Sequence, residues 1–225
     1  MPDAEPQPAL YTAAEVRALD RAAIDGAGIP GIVLMSRAGR AVFDLVRARY
    51  PGALPIHVVC GAGNNGGDGF VVARLAADRG LPVTVSLVGE QARITGDARL
   101  ALEAALAAGV ALQPFAPGTR LDAGVIVDAL LGTGLGGPVR EAHAAAIAAM
   151  NASGLPVVAV DIPSGLCSDT GCVRGVAVRA AHTVTFIGRK RGLFTAAARD
   201  HCGELHFDSL GVPARTYDAV PAAAE

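Results

Sequence analysis

From Ile56 onward the chain alternates short β-branched runs with Ala-rich stretches of helical spacing, and that alternation restricts the fold more than any other feature. Parallel strands need long crossovers, usually helical, so the pattern predicts βαβ units built on a parallel sheet. Strands are expected at Ile56 to Cys60, Val83 to Val88, Val125 to Asp128, Val157 to Asp161, Thr183 to Ile187 and Glu204 to Phe207. Helices are expected near Gly69 to Arg79, Asp97 to Ala108 and Val139 to Met150. Gly80 and Gly109 stand where left-handed C-caps belong, and Pro138 at a helix start. Two helices come before any strand. The first opens on the capping box Thr12-Ala13-Ala14-Glu15, carries Val16, Leu19, Ala23 and Ile24 at helical spacing, and stops at Gly26-Ala27-Gly28. The second runs from about Ile32 to Tyr50, with Pro51-Gly52 as its stop.

A length of 225 residues fits one large α/β domain better than two small ones. Residues 1–9, with three prolines, read as a loose arm, and 214–225 as a frayed end or the start of a linker. Lys plus Arg is 19 and Asp plus Glu 21, a net charge of -2, so neither nucleic acid nor an anionic membrane is an expected partner. The longest stretch without a charged residue, Ala142 to Val160, contains Asn151, Ser153, Gly154 and Pro156 and reads as helix, turn and strand, not as a membrane span. Met1 to Pro8 has acidic residues and no apolar leader segment, and four irregularly spaced cysteines do not make a disulfide scaffold. The expected home is the reducing cytoplasm.

In an open parallel sheet, ligands bind beyond the carboxyl ends of the strands, where loop amides and helix N-termini converge. Three of the expected strands end in polar or Gly-rich loops. The first is Gly61-Ala62-Gly63-Asn64-Asn65-Gly66-Gly67-Asp68-Gly69. Gly61, Gly63 and Gly66 satisfy a dinucleotide fingerprint, with Glu90 placed as a ribose-binding acid, whereas the absence of G-K-[ST] excludes a Walker A site. Asp68 is expected at the start of a helix, where its carboxylate would compete with phosphate for the same amides. The plainer reading is a tight turn capped by Asp68.

The second loop, Asp128 to Pro138, contains Gly132, Gly134, Gly136 and Gly137, which let backbone approach a ligand closely. The third is Asp161-Ile162-Pro163-Ser164-Gly165-Leu166. An acid directly after a strand is commonly a turn cap, but three on one rim point to a site. Asn65, Asp128 and Ser164 offer hard oxygen ligands suited to an alkali or alkaline-earth ion. Asp68, Asp128 and Asp161 are candidates for proton transfer, because crowded carboxylates split their affinities for protons. No Ser or Cys nucleophile has an identifiable His partner. Cys167 with Cys172, and His201 with Cys202 and His206, lack zinc-site spacing, and Arg189-Lys190-Arg191 reads as a solvated turn or a phosphate contact.

Gly63-Asn64-Asn65-Gly66-Gly67-Asp68-Gly69, Val127 to Leu135 and Asp161-Ile162-Pro163-Ser164-Gly165, in that order, resemble the YjeF N-terminal domain family. Leu10-Tyr11-Thr12, Leu34-Met35, Ala38-Gly39 and Asp208 to Pro213 extend the resemblance over nearly the whole chain, with Ser36 standing where many relatives carry Glu. The resemblance implies a Rossmann-like three-layer αβα sandwich and an isomerase of metabolite repair. Its activity would be epimerisation of the R and S forms of hydrated NADH and NADPH, NAD(P)HX, at nicotinamide C6. By the same resemblance Asn64, Asn65, Gly66, Gly67, Asp68, Gly132, Thr133, Gly134, Leu135, Gly136, Gly137, Pro138 and Asp161 contact the substrate. The resemblance also implies that Asn65, Asp128 and Ser164 bind one potassium ion per subunit; inversion at C6 in turn calls for a carboxyl group to carry the proton, and Asp128 is the one expected, with Asp68 in reserve. The implied partners are an ADP- or ATP-dependent dehydratase, fused or separate, and a second copy in a homodimer. The rivals are an NAD(P)-dependent oxidoreductase and a non-catalytic binding module of the same fold.

Overall fold

The structure, a computed structural model, describes residues 9–121, 124–220 and 222, the side chain of residue 196 excepted. The arm expected at residues 1–9 lies outside the described residues up to position 8. The elements in chain order are β1 (Leu10–Tyr11), α1 (Ala13–Arg21), α2 (Gly31–Arg49), β2 (Ile56–Cys60), α3 (Asn64–Ala77), β3 (Val83–Leu87), α4 (Gly96–Ala107), β4 (Ala111–Pro114), β5 (Val125–Ala129), α5 (Glu141–Ala152), β6 (Val157–Val160), β7 (His182–Phe186), β8 (Arg189–Lys190), α6 (Arg199–Cys202), β9 (Glu204–Asp208) and α7 (Ala214–Asp218).

Seven strands form one sheet in the order β4-β3-β2-β5-β6-β7-β9, and every pairing in it is parallel. Alternation along the strands divides the core into two layers. Ile56, Val58 and Cys60 of β2, with Val125, Val127 and Ala129 of β5, pack under α1 to α4. Val59, Ile126 and Val157 face Ala146, Ile147 and Met150 of α5 on the other side. Helices thus cover both faces, as a wholly parallel sheet requires. Gly39 brings α2 against α3: a Cβ there would stand 2.5 Å from Val71 Cβ and 2.8 Å from the Asp68 carbonyl.

The capping box of α1 forms, with Thr12 Oγ1 accepting from the Glu15 amide at 3.3 Å and Glu15 Oε2 accepting from the Thr12 amide at 2.7 Å. Five expectations need correction. The leading helices do not come before every strand, because the two-residue β1 precedes them and pairs with β8, and so short a strand carries no sequence signal. β4 was not expected, because a short edge strand with exposed residues and a terminal Pro carries no alternating signal. α3 starts at Asn64, five residues before the expected Gly69, so most of the Gly-rich loop is helix. The helix expected from Val139 starts at Glu141, after Arg140 as N-cap, so Pro138 lies in the approach to it. The stretch read as a tail is folded as far as Val220: α7 buries Thr216, and the Tyr217 hydroxyl donates to the Ile187 carbonyl at 2.9 Å.

Candidate active site

Beyond the C-terminal ends of the central strands lies a cavity of about 860 Å³, towards the top of the roughly 300–1,000 Å³ range of small-molecule sites. Its walls come from the start of α3, the 130–138 loop, the ends of β6 and β7, and the inner faces of α1 and α2. Asn64, Asn65, Asp68, Gly132, Thr133, Gly134, Leu135, Gly136, Gly137, Pro138 and Asp161 all line it, and so does Glu90. Gly66 and Gly67 do not. A Cβ on Gly66 would collide with the Gly61 carbonyl, and one on Gly67 would lie 2.6 Å from Met35 Cε. Packing against the fixed Gly61 backbone requires glycine at 66, whereas at 67 the closest atoms met are the flexible end of Met35, which can move aside.

The first turn of α3 still offers donors. Its N-cap is Gly63, which supplies no side-chain acceptor, so the amides at the helix start are left for a ligand or solvent. Asp68 lies a turn further on and therefore does not compete for them. Gly134, Gly136 and Gly137 have no atom within 4 Å of where a Cβ would stand, and none has positive φ. Among the described residues nothing requires glycine at these positions.

The acids are held in different ways. Asp161 ends β6 with a left-handed backbone, φ 67°, a conformation that Asp tolerates better than most residues. Its Oδ1 pairs with Lys190 Nζ and lies 3.4 Å from both Thr185 Oγ1 and the Phe186 amide. Lys190 also donates to Thr185 Oγ1 at 3.1 Å and to the Phe186 carbonyl at 2.9 Å, and is 1% exposed. The expectation of a solvated turn at 189–191 therefore fails for Lys190: the parallel pair of β1 with β8 folds it inward, and its ammonium joins the cavity wall.

Asp68 opens on the cavity but is ringed by protein. Burial, with the negative charges of Asp161 and Asp20 added, raises its pKa well above the usual carboxylate range, while Lys190 pulls the other way. Asp20 of α1 is pushed up to about 6, first by burial, with Lys190 opposing and Asp161 reinforcing. Sequence reasoning missed Asp20, although a signal was present: a carboxylate next to Leu19 in the helix that buries Ala13, Val16 and Leu19. It also missed Arg17, Arg93, Arg140 and His143, which line the cavity from positions without a motif. Burial, then Arg140, lowers the His143 pKa.

Asp128 lies at 0% exposure and is not among the residues lining the cavity. Its Oδ1 accepts from Ser164 Oγ at 2.6 Å and from the Leu130 amide at 3.2 Å, and its Oδ2 from the Ser164 amide at 2.8 Å. Burial raises its pKa to about 6, and the Ser164 and Leu130 bonds draw it back. Ser164 Oγ also accepts from the Leu131 amide at 2.8 Å, tying the 130–138 loop to the third loop. Asn65, next to Gly132, is 9% exposed with its Nδ2 unpartnered among the described residues. The orphaned Nδ2 is a hydrogen-bond donor and calls for an acceptor from a ligand or solvent, while the oxygens of Asp128 and Ser164 and the amide oxygen of Asn65 are of the hard kind that an alkali or alkaline-earth ion takes.

The family described as YjeF-related protein N-terminus matches residues 31–192. The chain is 47% identical over 94% of its length to the bifunctional NAD(P)H-hydrate repair enzyme Nnr of Coxiella burnetii, and 45% identical over 90% to that of Escherichia coli; it spans 43% and 39% of those proteins. It is 42% identical to the NAD(P)H-hydrate epimerase of Limosilactobacillus fermentum, covering 86% of this chain and 93% of that one. The crystal structure of yeast ynu0, YNL200c, superposes with a TM-score of 0.77 at 22% identity, covering 94% of this chain and 93% of that one, and shares the fold.

Proposed function

The chain belongs to the YjeF N-terminal family, and from that premise we propose that it is an isomerase interconverting the R and S epimers of hydrated NADH and NADPH at nicotinamide C6. The observation that carries this reading is geometric: a carboxyl group, Asp68, lines the cavity together with Lys190 and the glycine-rich 132–137 wall, and burial raises its affinity for a proton. Inversion requires the C6–oxygen bond to break and re-form on the other face. Asp68 donates its proton to the leaving hydroxyl, which departs as water. The ring nitrogen lone pair supports the resulting cation; water then adds from the opposite face and returns a proton to the Asp68 carboxylate. Lys190, fixed by Asp161, keeps a positive charge beside the acid and steadies the carboxylate that forms.

The open amides at the start of α3 suit the pyrophosphate, and Arg93 and Arg140 are available to it from the cavity wall. Asn65, Asp128 and Ser164 would hold one potassium ion per subunit. Bound there, the ion would supply positive charge that offsets Asp128 and stiffens the 130–138 loop. In this reading Asp128 organises the site through Ser164, and the proton carrier is Asp68, because only Asp68 lines the cavity. A dehydratase, on the same polypeptide or separate, would consume the S form, as the names of the bifunctional relatives suggest. Homodimerisation through the leading helices and a cytoplasmic location belong to the same proposal; among the described residues no helix is long and apolar enough to cross a membrane.

The test supplies R-hydrate with an S-specific dehydratase and follows recovery of the reduced cofactor. The protein should accelerate recovery, and Asp68→Asn should lower turnover by roughly 10²–10⁴-fold, the usual contribution of a positioned acid. No acceleration by the parent protein, with the hydrate bound, would favour a binding module; undiminished turnover in Asp68→Asn would remove the assigned acid.

A further inference from the structure

We propose that His182, Glu204 and His206 form a binding site for a first-row divalent cation of the Zn²⁺ class at the N-terminal end of the sheet, remote from the cavity. Two imidazole nitrogens and a carboxylate oxygen there lie within 4.8 Å of one another. Register makes the site. β7 and β9 are parallel with His182 opposite Glu204 and Val184 opposite His206, so Glu204 and His206, two residues apart, share the face on which His182 stands.

The separations suit one ion. His182 Nδ1 is 3.1 Å from His206 Nε2 and 3.5 Å from Glu204 Oε2, and His206 Nε2 is 3.7 Å from Glu204 Oε1. Ligand atoms about 2.1 Å from a common metal are about 3.0 Å apart at right angles and about 3.4 Å apart in a tetrahedron, so small side-chain rotations suffice. Imidazole favours zinc and its neighbours over calcium or magnesium. The His182 and His206 side chains are 12% and 23% exposed and Glu204 is 50% exposed, which gives held ligands and an entry side. The Tyr50 ring meets His182 edge-on at 5.7 Å and limits its rotation. The C-terminal end of α2, at Arg49, adds the favourable end of a helix dipole.

Two contacts oppose the ion: the hydrogen bond between His182 Nδ1 and His206 Nε2, whose proton the metal would replace, and Arg49 Nη2, which donates to Glu204 Oε1 at 2.5 Å and competes for that oxygen. The site is far from the catalytic proposal. α2 lines the cavity with Gly31, Leu34, Met35 and Ala38 and reaches the triad only at its Arg49 end, roughly 16 Å beyond Ala38 at 1.5 Å per residue. A linear spacing search pairs His206 with His201 and Cys202, yet His201 Nδ1 is bonded to the Val178 carbonyl at 2.9 Å. The true neighbour, His182, is 24 residues away in sequence.

The experiment titrates tag-free, chelator-treated protein with Zn²⁺ by calorimetry, with Co²⁺ absorption as a spectroscopic readout. One equivalent per chain is expected. Affinity should fall at least tenfold in Glu204→Gln and in His206→Ala, rise severalfold in Arg49→Ala, and each variant should keep the parent's circular dichroism and cavity activity. The melting midpoint should rise with Zn²⁺ in the parent and not in Glu204→Gln. Absence of saturable binding, or one equivalent bound equally well by both ligand variants, would overturn the proposal.

Discussion

Replacing Lys190 by Met tests whether the buried ion pair holds the cavity wall together. Met keeps most of the apolar stem, so the change isolates the ammonium and its bonds to Asp161, Thr185 and the Phe186 carbonyl. Removing one partner of a buried pair costs about 3–5 kcal/mol, because the other charge is left uncompensated. The Asp161 side chain keeps 15% exposure at the cavity, so water recovers part of its solvation and the lower end, about 3 kcal/mol, is expected. At roughly 2–4 °C per kcal/mol for a chain of this size, the melting midpoint should drop by about 6–12 °C. Urea unfolding gives the free energy directly. The double variant Lys190→Met/Asp161→Asn removes the stranded charge while keeping a residue that accepts left-handed backbone, and should recover about half of the loss or more. Since Lys190 holds down the proton affinities of both Asp20 and Asp68, its loss should also move the acid-dependent limb of the rate profile to higher pH. A single-variant loss below about 1 kcal/mol, or no recovery in the double variant, would show that the pair does not carry this load.

Two further outcomes follow from the same wall. Asp20 binds its proton more tightly folded, at about 6, than unfolded, at about 3.9. Its contribution is therefore whole below pH ~4 and lost as pH climbs through ~6, so Asp20→Asn should gain roughly 2–3 kcal/mol on the parent between pH 4 and 7 in paired denaturation curves. The difference measurement matters because His143 and His182, with lowered values, act in the opposite sense; a pH-independent gap would refute the assignment. Gly69→Ala and Gly136→Ala should part company. At Gly69 a Cβ would meet Ala129 Cβ at 2.6 Å and Cys60 Sγ at 2.7 Å, so overpacking outweighs the helix-propensity gain and costs about 1–2 kcal/mol net. At Gly136 the space is open, so stability should stay within about 0.5 kcal/mol while substrate affinity falls about tenfold; a Gly136→Ala protein with parental affinity would mean that no ligand approaches that backbone.

The sheet was legible because a strand buried on both faces writes itself as an unbroken β-branched run, as Val125-Ile126-Val127 and Val157-Val158-Ala159-Val160 do. The elements that escaped lack that run. β4 is an exposed edge, and α7 is five residues long and held by one hydroxyl bond and one buried side chain, Thr216. The start of α3 was hidden for a different reason: Asn64-Asn65-Gly66-Gly67 has the composition of a turn, and only the closeness of the Gly61 carbonyl explains why a helix must be built from it.

The site divides along the same line. Residues whose role depends on strand ends and loops, such as Asp161 and the glycines of 132–137, could be placed on one rim from topology alone, because a parallel sheet carries all its strand ends to one side. Residues whose role depends on depth could not. Asp68 and Asp128 both follow Gly-rich or β-branched signals, yet one opens on the cavity and the other lies beneath it, fastened to Ser164. Depth is set by which helix face meets which strand face, and that is decided by contacts such as Gly39 against Val71 and Gly69 against Ala129, between residues far apart in sequence. The consequence for chemistry is direct. A carboxyl group can exchange a proton with a ligand only where it lines the ligand's space, and that is why the proposed role of proton carrier goes to Asp68 and that of organiser to Asp128.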